Sequence, residues 1–98
     1  MNAIRIALAF VTLTAFAPPA AAEEKFIELK NAPGKDVVET NCGGCHSLDY
    51  VQMNSPFLKP DGWNAEVTKM IKVFGAPTSE ADAKAITEYL TSAYGPGK

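Results

Sequence analysis

The stretch Cys42-Gly43-Gly44-Cys45-His46 contains both cysteines and the single histidine of this 98-residue chain. Two thiols three positions apart, followed at once by an imidazole, are the side chains that covalent haem attachment requires. Each sulfur can add to one vinyl group, and the histidine after the second sulfur is then held against the iron. The glycines put no side chain between the backbone and the porphyrin edge. The motif therefore predicts one covalent haem c, bound by Cys42, Cys45 and His46.

Pairs of cysteines at this spacing also occur in zinc sites, thiol redox proteins and disulfides. A structural zinc ion takes four nitrogen or sulfur ligands, and the chain has no further Cys or His. A thioredoxin-like pair belongs in a βαβ pattern, and nothing after the motif resembles strands. A disulfide between such near neighbours closes a very short loop and adds little stability. These alternatives stay open, but haem attachment is favoured.

Residues 1–22 have the composition of a secretory signal peptide. Arg5 precedes an apolar run over 6–16, and Ala20-Ala21-Ala22 ends the segment with small residues. The run of 11 residues is too short to span a bilayer, which takes about 20. We therefore expect cleavage after Ala22, export, and no membrane anchor once the signal is removed.

The exported chain, 23–98, is one small domain, and chains of this size seldom build a sufficient core without a staple such as a bound cofactor. It contains eight Lys, no Arg and eleven Asp or Glu, so it is mildly acidic. Nucleic acids require basic stripes, and anionic lipids attract a basic helix face. We therefore expect neither nucleic acid nor a membrane surface as a partner.

Hydrophobic spacing predicts an all-α fold of about four helices. An extended arm over 23–36 precedes a domain over 37–98, and the sequence leaves open whether this arm lies on a partner or on its own domain. The first helix is expected over 35–41, with Val38, Cys42 and Cys45 on one apolar face. A helical turn at 47–51 should stop at 54–56, and 57–62 should form a loop.

Two longer helices follow. The first is expected from Trp63 to Phe74, capped by Asp61, with an apolar stripe made by Trp63, Val67, Met70, Ile71 and Phe74. The second begins at a capping-box pattern, Ser79-x-x-Asp82, and runs to about Ala93. Its buried face should consist of Ile86, Tyr89, Leu90 and Ala93.

The chain from Val37 to Gly95 resembles the monohaem class I c-type cytochromes. More narrowly, the segment 41–51 and the block from Trp63 to Pro77 resemble the small cytochrome c subunit of bacterial periplasmic sulfite dehydrogenases. The resemblance implies a periplasmic electron-transfer protein with one haem and no catalytic residues of its own. Its implied partners are a molybdenum-containing sulfite-oxidising subunit, which supplies electrons, and a downstream cytochrome or oxidase.

Two methionines after residue 22 could provide the second axial ligand. Met53 follows His46 so closely that reaching the opposite haem face would strain the chain, whereas Met70 has ample loop length. We therefore predict His46 and Met70 as the iron ligands, with Met53 as the alternative. The other ring nitrogen of His46 should donate to the Pro56 carbonyl.

Other functions remain as alternatives to a permanent subunit. The chain could be a freely diffusing cytochrome c carrier for another periplasmic oxidoreductase. An open-site haem enzyme or gas binder is disfavoured, because a polar distal pocket usually needs a second His or an Arg. After residue 22 the chain has no arginine and no histidine beyond His46.

Overall fold

The computed structural model describes residues 17–22 and 27–98. These residues form four helices: α1 (Lys35–Cys42), α2 (Asp49–Asn54), α3 (Pro60–Lys72) and α4 (Glu80–Ala93). No strand occurs among them. The prediction of a small all-α fold is therefore confirmed for this part of the chain. Most of the predicted signal peptide, 1–16, lies outside the described residues, as do 23–26.

Helix α3 begins three residues earlier than the sequence predicted. Its N-cap is Lys59 and Pro60 is its first residue, so Asp61 is not the cap and 60–62 is not a loop. Proline suits this position because the first helical N–H has no partner within the helix. Asp61 lies in the first turn instead, where its charge interacts favourably with the helix dipole.

The C-terminal end of α3 also differs from the prediction, which placed it at Phe74. The helix ends at Lys72, and Gly75 takes a φ of 72° that reverses the chain. Phe74 therefore leaves the predicted stripe and is 69 % exposed. Trp63 and Val67 are buried as expected, whereas Met70 and Ile71 are half-buried.

Helix α4 agrees closely with its prediction. The backbone N–H of Asp82 donates to Ser79 Oγ at 3.1 Å, which is the predicted N-cap bond. The helix packs against both α1 and α3. The core lies between these three helices and is formed by Leu29, Val38, Val51, Trp63, Val67, Ile86, Tyr89, Leu90 and Tyr94.

Residues 27–31 have no regular structure and lie on α4, so this part of the arm covers its own domain. Leu29 is 2 % exposed and belongs to the core. Tyr89 Oη donates to the Lys30 carbonyl at 2.6 Å, and the Lys30 N–H donates to Tyr94 Oη at 2.9 Å. The turn that follows requires Gly34, whose φ is 94° and whose missing side chain would lie 3.1 Å from Tyr89 Cβ.

The short helix α2 is attached to the end of α4. Its Val51 side chain is buried in the core, and Ser55 Oγ, also buried, accepts a hydrogen bond of 3.0 Å from the Gly95 N–H. None of the helices in the described part of the chain has both the length and the apolar character needed to cross a membrane.

Candidate haem-attachment site

Cys42 is the last residue of α1 and is placed by the packing of that helix. Val38, one turn earlier, is fully buried, and Cys42 is half-buried against the same core. The predicted common face for both thiols is wrong for Cys45. Because α1 ends at Cys42, Cys45 lies beyond the helical repeat and is exposed.

The two glycines between the cysteines have different roles. Gly43 caps α1 with a helical φ of −72° and donates its N–H to the Glu39 carbonyl. A Cβ at position 43 would lie 2.8 Å from that carbonyl oxygen, so the missing side chain is what matters there. A Cβ at Gly44 would meet nothing within 4 Å. The close turn after α1 therefore depends on Gly43.

Both cysteines are free thiols. Burial raises the pKa of the Cys42 thiol, and the neighbouring Cys45 raises it further. Cys42 therefore stays protonated at neutral pH. Among the described residues no three His, Cys, Asp or Glu side chains converge as a metal site would require.

His46 is exposed, and one of its nitrogens has a partner. Nδ1 lies 3.0 Å from the Ser47 carbonyl oxygen. Because a carbonyl can only accept, Nδ1 carries the proton in this arrangement and Nε2 presents its lone pair. The acceptor is thus Ser47, and the expectation of Pro56 is wrong. The carbonyl of the next residue is within reach without any loop returning beneath the ring.

The two candidate methionines lie in different surroundings. Met53 is on α2 and is 68 % exposed. Met70 is on α3, half-buried, one turn after the buried Val67. Met70 is therefore the less exposed of the two candidate ligands.

Large apolar side chains are exposed in two nearly uncharged stretches. Segment 40–58, which contains the motif, has Asp49 as its only charged residue, and segment 73–79 has none. The exposed apolar residues in them are Tyr50, Met53, Phe57, Val73 and Phe74. Exposed apolar side chains mark a binding site where they form a continuous patch.

Trp63 has a buried donor without an acceptor in the described part of the chain. Its Nε1 is buried and has no hydrogen-bond partner within 17–22 and 27–98. An indole N–H can only donate, and a buried donor without an acceptor is costly. Haem carries carboxylates that accept hydrogen bonds and an apolar ring that exposed side chains can cover. Together with the thiols, the imidazole and the thioethers, the donor set fits haem.

Sequence reasoning missed two features beside His46. They are the Ser47 carbonyl and the Tyr50 ring. Helical spacing does not explain the second contact, because α2 begins at Asp49 and His46 lies before it. Both features depend on the turn that leads into α2.

No protein-family model matches the chain, and no curated protein matches its sequence.

Proposed function

We propose that this protein is an exported, periplasmic monohaem cytochrome c that transfers single electrons. Cys42 and Cys45 would form the thioether bonds, His46 would bind the iron through Nε2, and Met70 would be the second iron ligand. One observation carries the proposal: two free thiols and an imidazole with its Nδ1 already hydrogen-bonded lie together at the end of α1. When bound, haem supplies an iron that gains or loses one electron.

The residues of this chain favour a carrier over an enzyme. With His46 bound to the iron, no other imidazole is left to act as acid or base, and Arg5 lies in the predicted signal peptide. The protein would hold the haem through His46 and Met70 and would cover the porphyrin ring with apolar side chains. A thioether ligand favours Fe(II) and so raises the reduction potential.

The proposed electron donor is a molybdenum-containing sulfite-oxidising subunit, and the acceptor is a downstream cytochrome or oxidase. The resemblance of the Trp63–Pro77 block to the small cytochrome subunit supports this pairing. The low charge of segments 40–58 and 73–79 also suits a largely apolar interface between subunits. A freely diffusing carrier for another oxidoreductase is the alternative.

The first test is covalent haem attachment. We expect the full chain, expressed in the periplasm with the cytochrome c maturation machinery, to keep its haem through acid-acetone extraction. The double variant Cys42→Ala/Cys45→Ala should release haem or contain none. Met53→Ala, which keeps both thiols, is the matched control and should retain covalent haem. A wild-type protein whose haem is extracted would contradict the proposal.

The partner is tested separately, by purification from native cells under gentle conditions. Copurification of a molybdenum oxidoreductase, with sulfite reducing the haem of the complex, is the result expected of a subunit. A haem protein that purifies alone and is not reduced by sulfite would argue for the diffusing carrier.

A further inference from the structure

The ring of Tyr50 packs against the ring of His46. Their centroids are 4.7 Å apart and the ring planes are inclined by 44°. Tyr50 is nevertheless 57 % exposed, so burial of its own surface in the core does not explain its position. The imidazole of His46, with which it packs, is also exposed.

The backbone that carries Tyr50 is held firmly. The Asp49 N–H donates to Ser47 Oγ at 3.3 Å, and the Val51 N–H donates to the Leu48 carbonyl at 3.0 Å. These bonds form the start of α2, whose first residue is Asp49. The residue after Tyr50, Val51, is buried in the core. Tyr50 therefore lies on a short helix that is attached to the core through Val51, and its exposed ring contacts the ring of His46.

We propose that Tyr50 is a positioning residue for His46. This inference rests on the proposed function. The Ser47 carbonyl fixes which nitrogen of the imidazole carries the proton. The Tyr50 ring limits rotation of the imidazole about its side-chain bonds. The same contact shields part of the imidazole from water. The aromatic ring carries this role, and the hydroxyl does not.

The test compares Tyr50→Ala with Tyr50→Phe in the haem-loaded full chain. We expect Tyr50→Ala to favour the oxidised form about tenfold at a fixed ambient potential, equivalent to about 59 mV, because water admitted beside the imidazole stabilises the more highly charged Fe(III). The haem-methyl NMR shifts of the oxidised protein, which report the orientation of the imidazole plane, should change as well. Tyr50→Phe should match the wild type in both measurements.

The outcomes separate this role from the proposed function. A haem-loaded Tyr50→Ala protein with wild-type potential and haem-methyl shifts overturns the role of Tyr50 alone, and so does a Tyr50→Phe protein that behaves like Tyr50→Ala. A chain that acquires no haem overturns both proposals. In the full chain expressed without haem, ring-current shifts of the His46 protons that disappear in Tyr50→Ala would still establish the contact itself.

Discussion

At the scale of single residues, the motif combines groups with distinct physical tasks. Cys42 is placed by the core, Cys45 is exposed, and Gly43 allows the backbone to turn where a Cβ would meet the Glu39 carbonyl. His46 then follows with Nδ1 bound to the Ser47 carbonyl. The arrangement presents one protected thiol, one accessible thiol and one free imidazole nitrogen within a single turn of chain.

The choice between the methionines is a prediction at this scale. We expect Met70→Ala to abolish the weak sulfur-to-iron absorption band of the oxidised protein, to lower its reduction potential and to let carbon monoxide bind the reduced iron. Met53→Ala is the control and should do none of these. Absorption spectra and redox titration of both haem-loaded variants provide the measurement. The reverse pattern would assign the ligand to Met53.

At the scale of elements, the segment before α1 contributes to stability through α4. Leu29 fills the core, and Tyr89 and Tyr94 bind the Lys30 backbone on both sides. The Lys30 ammonium adds a hydrogen bond to the Ala93 carbonyl, at the end of α4 where cations are favoured. Segment 27–31 thereby connects the beginning of the domain to its last helix.

Because segment 27–31 packs on α4, we expect substitutions at Leu29 and Ile27 to lower the stability of the fold by different amounts. Leu29→Ala should lower the free energy of unfolding by about 2 to 3 kcal/mol, because it leaves a cavity in the core. Ile27→Ala, at a position 36 % exposed, should cost well under about 1 kcal/mol. Denaturant unfolding of the full chain measures both. Equal losses would mean that the segment does not pack as described.

At the scale of the whole molecule, the buried Tyr89, which contacts segment 27–31, makes the stability of the fold depend on pH in the alkaline range. Burial raises the pKa of Tyr89 above its usual value of 10, and Tyr94 raises it further. In the unfolded chain Tyr89 ionises near pH 10, whereas in the folded protein it remains neutral. Below pH 10 the ionisation of Tyr89 does not affect the unfolding free energy. Above pH 10 the unfolded chain loses this proton and the folded protein does not, so the unfolding free energy falls as the pH rises.

We expect the unfolding free energy to fall above pH 10 with a Tyr89 contribution of up to about 1.4 kcal/mol per pH unit. Tyr89→Phe should remove that part of the slope, since phenylalanine has no proton to lose. Tyr50→Phe, which changes an exposed tyrosine, is the control and should keep the wild-type slope. Denaturant titrations between pH 8 and about pH 11 would measure it, and parallel wild-type and Tyr89→Phe curves would contradict the assignment.

The sequence by itself determined the fold class and the places where α1 and α4 begin. Hydrophobic spacing and the cap at Ser79 are local signals. The hydrogen bond from the Asp82 N–H to Ser79 Oγ that they predict joins residues only three positions apart. The grouping of Cys42, Cys45 and His46 was equally readable, because it consists of residue types at close spacing. The haem itself, the electron-transfer role and the partner remain proposals.

Tertiary structure alone decided the rest. Whether segment 27–31 covers its own domain depends on contacts with residues about sixty positions away, which no local pattern encodes. The acceptor for His46 is Ser47, because the turn into α2 brings the nearest carbonyl to the ring before any distant loop can. Phe74 and Cys45 are exposed because α3 and α1 end before the helical repeat reaches them. A periodic pattern predicts which face a residue occupies only while the helix continues, and where it stops is settled by packing and by the conformational freedom of glycine.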